Sequence, residues 1–418
     1  MRMAAFGFAL LLAFGITASS AAPAPASQDI NLTAFANGAL RESASSEYGG
    51  AWEARWITDE NPQTGWASEK GAIGPFDIVI SLPERSEIHA LEFDTASVDG
   101  DGGLRGAKAI DVMVSDTSAT AGFTPLTSVA LKPGKDRQHF SLAKPGNARW
   151  IKLVFRSNNG DPDYTELMEF RALGTQLTQT PLPTNLSGTY SSDNYGNFHL
   201  QQDGAQLRGC YEYSEGLVQG GLESHLMRLT WYQSGGIHGS AIMVLKRDGK
   251  GFEGWWNEVA SDGGDGPWKA DWDVKKTSDK VGSCPHWNPK AASGNIVATQ
   301  LAAEGHVRIY GINFDVDSDH LRADAKPAID ELLQALKVNP AWHVSIEGHT
   351  DATGGAAHNL DLSQRRAAAV KATLVAAGIP ADRMSTTGLG QTKPVASNDT
   401  GIGRAQNRRV EIVRRSGD

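Results

Sequence analysis

The sequence predicts a multidomain protein: an N-terminal β-sandwich of jelly-roll type, a middle all-β meander or small barrel, and a C-terminal α/β sandwich. Three observations carry this. A chain of 418 residues is too long for one ordinary domain, so two or three are expected. Short strand-like runs divided by Gly, Pro, Asp and Asn fill the first two thirds, with no helical period of useful length. Near residue 295 the pattern changes to strands alternating with helices.

The first residues read as an export signal. Arg2 gives a positive start, residues 4–16 are apolar, and small residues follow. That run is too short to span a bilayer and has no stop-transfer flank, so a removed signal over 1–22 is expected. Cleavage after Ala21, Ala22 or Ala26 fits equally. No cysteine follows the run, so a lipoprotein anchor is not expected, nor is a transmembrane span in the mature chain. Residues 22–30 read as a loose leader. Apolar content of 40% and charged content of 21% are those of a globular protein. A formal charge of −9 gives no counterion-release affinity for nucleic acid, which excludes that partner. Cys210 and Cys284 are the only cysteines. In an oxidising compartment they are expected to pair rather than stay as two buried thiols, and the closed loop would contribute about 4 kcal/mol in the chain-entropy model.

From 31 to 174 the strand candidates are 76–82, 88–94, 110–115, 139–143 and 150–155. Residues 109–114 show the period-two alternation of a half-buried strand. Residues 175–184, TQLTQTPLPT, read as a linker. The second β region, 185–289, has candidates at 196–200, 209–213, 228–232, 239–245, 254–256 and 268–272, with glycine recurring beside aromatics. This predicts a core that is mostly aromatic. The runs are too short and polar for a lipid-spanning barrel, which needs roughly 9–11 residues per strand. A second linker is expected over 288–295. In the last domain, 295–415, a strand is expected over 306–314. A helix follows over 325–338, with Ile329, Leu332, Leu333 and Leu336 on one face and Pro327 in its first turn. After a strand at 344–348, Ser363 is expected to cap a helix that runs to about 377 and buries Ala367, Val370 and Leu374. Strands at 384–388 and 410–414 complete it.

The chemistry concentrates around Asp351, in a loop after a strand, and Arg366, placed by this reading in the first turn of a helix. A guanidinium there lies near free helix N–H groups and favours a carboxylate. A carboxylate opposite it favours an ammonium. Together they suit a small zwitterion such as an amino-acid head group. A direct Asp351–Arg366 salt bridge closing the loop onto the helix fits the spacing as well.

The residues Gly348-His349-Thr350-Asp351, Gly354, Asn359, Leu362-Ser363, Arg366-Ala367, Gly388-Leu389-Gly390, Pro394, Asn398-Asp399-Thr400 and the run 403–411 resemble the signature of the OmpA-like C-terminal family. Ile312-Asn313-Phe314-Asp315 resembles that family's first strand and loop. The resemblance spans about 295–415 and implies non-covalent binding of peptidoglycan through the diaminopimelate of its stem peptide. Carried over, Asp351 takes the ammonium and Arg366 the carboxylate. Thr350, Asn359 and Leu362 line the site, Phe314 and Asp315 lie on the facing loop, and Asn407 and Arg408 transfer less directly. Arg409 and Arg414 are expected on a solvated edge strand.

The run from Ile57 to Trp66, with Asp59, Asn61, Thr64 and Trp66, is similar to the turn of discoidin (coagulation-factor C-type) domains, a galactose-binding-like jelly roll. The run 169–174 resembles that family's last strand, so the resemblance covers about 31–174. It implies a structural Ca²⁺ site, for which Asp59, Asn61, Thr64 and Glu169 supply oxygen ligands suited to a hard cation; an ordinary Asp-Asn turn over a core Trp66 fits equally. No other cofactor is required. Glycan binding by family members makes Trp52, Trp56, Arg105 and residues 158–164 loop candidates, although core or solvent roles suit each. In the middle domain Trp255, Trp256, Trp268, Trp272 and Trp287 could stack on sugars; filling a small barrel is the stronger reading.

These readings predict an exported envelope protein, periplasmic or outer-membrane associated, of a Gram-negative bacterium. It would bind peptidoglycan, hold two β domains there, and offer a surface for a glycan or an envelope protein. It carries no hydrolase motif and is not expected to be an enzyme. The alternatives are a glycan-active enzyme, drawing its acids from Glu212, Glu215, Glu253, Glu258 and Asp262, and a lectin-like adhesin on the outer surface.

Overall fold

The computed structural model describes residues 29–415 other than 73, 97–99, 101–102, 182, 184, 260–265, 267, 288–294 and 316. The expected export signal, most of the leader and of the second linker, and Asp262 lie outside the described residues.

In the N-terminal sandwich, Ile30–Asn31, Glu169–Gln176, Phe76–Asp94, Gln138–Asn158, Ala107–Ser115 and Thr124–Ala130 lie side by side in that order, and Leu40–Ala44 also pairs with Phe76–Asp94. Four of the expected strands are therefore two long ones. Register shifts between Ser81 and Ser86 and between Ile88 and Ala90 bend the chain without ending its pairing. The alternation at 109–114 holds, with Ile110, Val112 and Val114 buried. Trp66 is fully buried, its ring 4.5 Å from that of Phe155. The Thr/Gln/Pro stretch does not hang free, because Thr178 Oγ1 and Thr180 N donate to Glu84 at 2.6 and 2.5 Å.

The middle region is a closed barrel of eight strands, each antiparallel to the next. They are Gly188–Ser192, Gly196–Asp203, Gln206–Tyr211, Gly216–Glu223, Leu226–Tyr232, His238–Leu245, Gly251–Glu258 and Val274–Ser278. The expected strand at 268–272 is replaced by an isolated bridge between Lys269 and Trp256. The core is not mainly aromatic. Tyr190, Phe198, Tyr211, Trp231, Phe252 and Trp272 are outnumbered there by aliphatic residues and Met227 and Met243. The reason is strand alternation: Trp256 packs against the barrel core, whereas its neighbour Trp255 points outward and stacks on Phe35 of the sandwich at 4.7 Å. Trp268 joins Trp255 outside, and Trp287 packs on the Cys210–Cys284 disulfide, whose cysteines lie 74 residues apart.

The C-terminal domain has a four-stranded sheet in the order His306–Ile309, Val410–Arg414, Val344–His349, Met384–Gly390. Four helices accompany it: α1 (Ile296–Ala303), α2 (Lys326–Val338), α3 (Ala356–Ala376) and α4 (Gly401–Asn407). The helix expected to start at Ser363 starts two turns earlier. Ser363 is inside α3, where its hydroxyl donates to Leu360 O at 2.8 Å and accepts from Gly390 N at 2.9 Å, pinning the helix to the sheet. Gly348 allows this approach: a Cβ there would fall 2.2 Å from Ser363 O.

The three domains share a seam. Phe35, Ala36 and Leu40 of the sandwich, Leu226, Ile242, Val244 and Trp255 of the barrel, and Ile402 and Ala405 of α4 form one buried cluster. Polar contacts flank it: Arg404 pairs with Glu60, and Arg55 donates to Ala270 O at 3.0 Å. The β domains are thus packed onto the C-terminal domain as well as connected to it.

Candidate functional site

The central strand Val344–His349 ends at the sheet's edge and delivers Thr350 and Asp351. Thr350 N donates to Gly390 O at 2.9 Å. Asp351 Oδ1 accepts from Thr353 N at 2.8 Å, and its Oδ2 from Arg408 Nη1 at 2.7 Å. Asn359, in the first turn of α3, donates to Asp351 O, Thr353 O and Gln391 Oε1 at 3.1, 3.0 and 2.9 Å. Asn407 accepts from Val395 N and Ala396 N and donates to Ala396 O and Asn398 Oδ1. Asn398 Oδ1 in turn accepts from Ala352 N at 3.0 Å. Both asparagines are buried. Their chemistry is consumed in fixing the loops around Asp351, which makes them clamps.

Arg366 is half-buried, midway along α3 rather than in its first turn, so the free N–H groups at that helix start do not act on it. Its guanidinium lies over the Phe314 ring, 5.0 Å from the centroid, and Nε donates to Ser318 O at 2.9 Å. Burial pulls its pKa down against the opposing charges of Glu223 and Asp317. Leu362 is buried one turn before it, and Asp315 is exposed and bonded to His320 at 2.8 Å. Among the described residues no ion pair joins Asp351 to Arg366; the acid's partner is Arg408. Arg409, expected on a solvated edge, is buried and paired with Glu411 at 2.9 Å, and Arg414 packs over Trp342. His349 is also buried, and burial followed by the Arg409 charge lowers its pKa to about 4. It is neutral near pH 7. Two residues absent from the sequence reading, Glu223 of the barrel and Arg322, also bear on the site, Glu223 through its field on Arg366. Nothing local to residue 223 announces this.

In the sandwich, Asp59 and Glu169 come together inside the fold, 4% and 0% exposed. Asp59 accepts from Asn61 N at 2.9 Å and Thr64 Oγ1 at 2.7 Å, and Asn61 Oδ1 accepts from Gln63 N at 3.1 Å. No hydrogen-bond donor among the described residues reaches either Glu169 oxygen, and its nearest positive charge is Arg171 Nη2, 3.7 Å from Oε2 and itself bonded to Asp94. Burial, and for Glu169 the neighbouring Asp59 charge, push both carboxyls above the usual range, Asp59 to about 6. Glu169, with no hydrogen-bond donor on either oxygen, beside the buried Asp59 carboxylate fits a divalent cation with hard-oxygen preference; the Asn61 and Thr64 side chains are already spent within the turn.

Of the loop candidates, Trp56 is in the domain seam and Trp52 is half-buried. Arg105 lies 5.0 Å from the Tyr164 ring, and Tyr48 meets that ring edge-on at 5.9 Å. Asn158 donates to Asp161 O and Tyr164 O, holding the loop. Of the barrel acids, Glu212 bonds Asn197 at 2.8 Å and Glu253 faces Lys246 at 3.7 Å.

Residues 313–408 match the OmpA family and residues 41–170 the F5/8 type C domain. The peptidoglycan-associated lipoprotein of Rhizobium meliloti is 38% identical over 131 residues, which is 30% of this chain and 74% of that protein. Outer membrane protein A of Bordetella avium is 43% identical over 99 residues, 24% of this chain. The chain spans about half of that protein's length, 51%. Among solved structures, the peptidoglycan-associated lipoprotein of Burkholderia pseudomallei is 34% identical, with 27% of this chain and 92% of that one covered and a TM-score of 0.24. The family 32 CBM from C. perfringens NanJ in complex with galactose is 16% identical, with 35% and 98% covered and a TM-score of 0.30. No helix among the described residues is long and apolar enough to cross a membrane. The chain belongs to the OmpA family through residues 313–408 and carries an F5/8 type C domain over residues 41–170.

Proposed function

We propose that this is an exported envelope protein that binds peptidoglycan non-covalently, taking the diaminopimelate head group between Asp351 and Arg366. One observation supports this most: the acid and the base are held by separate partners, Arg408 and the Phe314–Ser318 loop, and so are not spent on each other. A zwitterion placed between them meets an anion and a cation already in position, with little ordering left to do on binding. Thr350 and Leu362 line the floor, and Asn359, Asn407 and Arg408 set the loop geometry. The relatives named as peptidoglycan-associated lipoproteins support peptidoglycan as the polymer bound. The sandwich then serves as a glycan-binding surface at Tyr48, Arg105 and Tyr164, with Asp59 and Glu169 holding a structural Ca²⁺. That ion would supply charge neutralisation inside the fold. Cosedimentation with diaminopimelate-type sacculi tests the reading: wild type should pellet, and Arg366→Ala, with its melting curve unchanged, should stay in the supernatant. Equal pelleting of the two would overturn it.

A further inference from the structure

The barrel reaches the peptidoglycan site. The tight turn between Gly216–Glu223 and Leu226–Tyr232 is fastened to the C-terminal domain at several points. Leu222 O accepts from Asn313 Nδ2 at 2.9 Å, one residue before Phe314. Buried Arg228 donates to Ala405 O at 3.0 Å and to Arg408 O at 2.5 Å. A Cβ on Gly221 would fall 2.0 Å from Gly311 N, so the two backbones meet there without an intervening side chain.

These contacts hold the turn that carries Glu223 against Arg408 and against Asn313, the neighbour of the Phe314 over which Arg366 lies. The Glu223 carboxylate bonds Arg228 Nη2 at 2.9 Å, and its side chain stays 44% exposed. Although part of the side chain is open to solvent, the carboxyl group is surrounded by protein atoms, and that desolvation works against its ionised form; Arg228, Arg408, Arg322 and Arg366 together outweigh it and hold Glu223 below the usual carboxylate range. In return, Glu223 is the strongest single charge acting on Arg366. An anion thus already stands in the field that a ligand carboxylate would have to enter.

We propose that Glu223 is a resident competitor in the stem-peptide site, a carboxylate lent by the barrel that opposes the ligand's own carboxylate at Arg366 and Arg408. The inference rests on the peptidoglycan reading above. It gives the middle domain a role: setting how tightly the chain holds the wall. Arg228 keeps Glu223 in place while a ligand is bound, so like charges face each other and affinity is held down.

The test is calorimetric titration of a diaminopimelate-containing stem tripeptide into the full chain. Glu223→Gln keeps the hydrogen bond to Arg228 and removes the charge; it should bind about tenfold tighter than wild type. Glu223→Asp, which keeps the charge but withdraws it from Arg366, should fall between them and provides the comparison should the glutamine variant fold poorly. Arg366→Ala and the double variant Glu223→Gln/Arg366→Ala should both lose binding. Equal or weaker binding by Glu223→Gln, with Arg366→Ala still dead, overturns the competitor and leaves the site standing. Absence of binding in every protein removes the site reading, and the competitor with it.

Discussion

Asp351 Oδ2 accepts a hydrogen bond from Arg408 Nη1 at 2.7 Å, across 57 residues of chain. The acid proposed to receive the ligand's ammonium is therefore oriented by a base from beyond α4, while Arg366 is oriented by the loop after Phe314. Truncating Asp351 removes both the ammonium's partner and the charge that balances Arg408. Losing one member of a hydrogen-bonded charge pair costs about 2 kcal/mol or more, roughly a thirtyfold weakening. Asp351→Ala should thus fall at least that far in a sacculus-binding isotherm while its far-ultraviolet spectrum stays native. Retained affinity would show that the ammonium is bound elsewhere.

A calcium response should depend on pH in a defined sense. The folded-state pKa values of Asp59 and Glu169 lie above their unfolded values, so the unfolded state gives up its protons first. Stability from Asp59 is therefore complete below about pH 4 and lost as pH rises through about 6, and Glu169 adds a loss of the same sign as it ionises. A cation bound to the deprotonated pair would restore what was lost. At a hundredfold excess over Kd the gain approaches about 3 kcal/mol. Melting curves should shift upward with Ca²⁺ at pH 7.5 and hardly at all at pH 5. Glu169→Gln should abolish the shift. A chelator-insensitive melt at pH 7.5 is the contrary result.

His349 should make the fold acid-sensitive. Burial, then Arg409, depresses its pKa to about 4, below the unfolded value of about 6.5. With the folded pKa lowered, the unfolded state binds the extra proton, and stability falls as pH drops from about 6.5 towards 4. The side chain is 2% exposed, so solvent screening is small. The loss at pH 4.5 should be about 2 kcal/mol, read as a drop in urea midpoint. His349→Gln should flatten this dependence; an identical slope would remove His349 as its cause.

The strands and their order of appearance were largely readable, because period-two burial is written locally, as at 109–114. What stayed hidden was set at a distance. The start of α3 is not legible because Ala356 and Ala357 carry no capping side chain, whereas Ser363 has the chemistry of one. Phe76–Asp94 appeared as two strands because Pro83 and the residues around it read as a break; the fold turns them into a bend. At the site, Asp351, Arg366, Phe314 and Arg408 are all legible through their motif. The pairing among them is not, since Arg408 meets Asp351 only through the packing of α4 and Arg366 meets Phe314 only in the fold, and Glu223 arrives from another domain. Trp255 shows the same limit: its neighbour Trp256 shares its chemistry, and only alternation around the closed barrel decides which one faces the seam.

That seam yields the last prediction. Trp255 is 1% exposed, stacked on Phe35 and adjacent to Ile402 and Ala405, so one side chain fills space belonging to all three domains. Replacing a buried Trp with Ala removes its transfer free energy and leaves a cavity, at a cost of about 3–5 kcal/mol. Here the cavity opens between domains, so the loss falls on their coupling more than on any one core. Wild type should unfold in a calorimeter as one dominant transition. Trp255→Ala should resolve into at least two, with the barrel core around Trp231 and the disulfide largely undisturbed. The variant should still bind sacculi, since Asp351, Arg366 and their loops lie within the C-terminal domain. Its dependence on Glu223 should weaken, because the turn that carries Glu223 is held in place by the same docking. A single transition shifted uniformly downward would instead mean that the three domains fold as one cooperative unit.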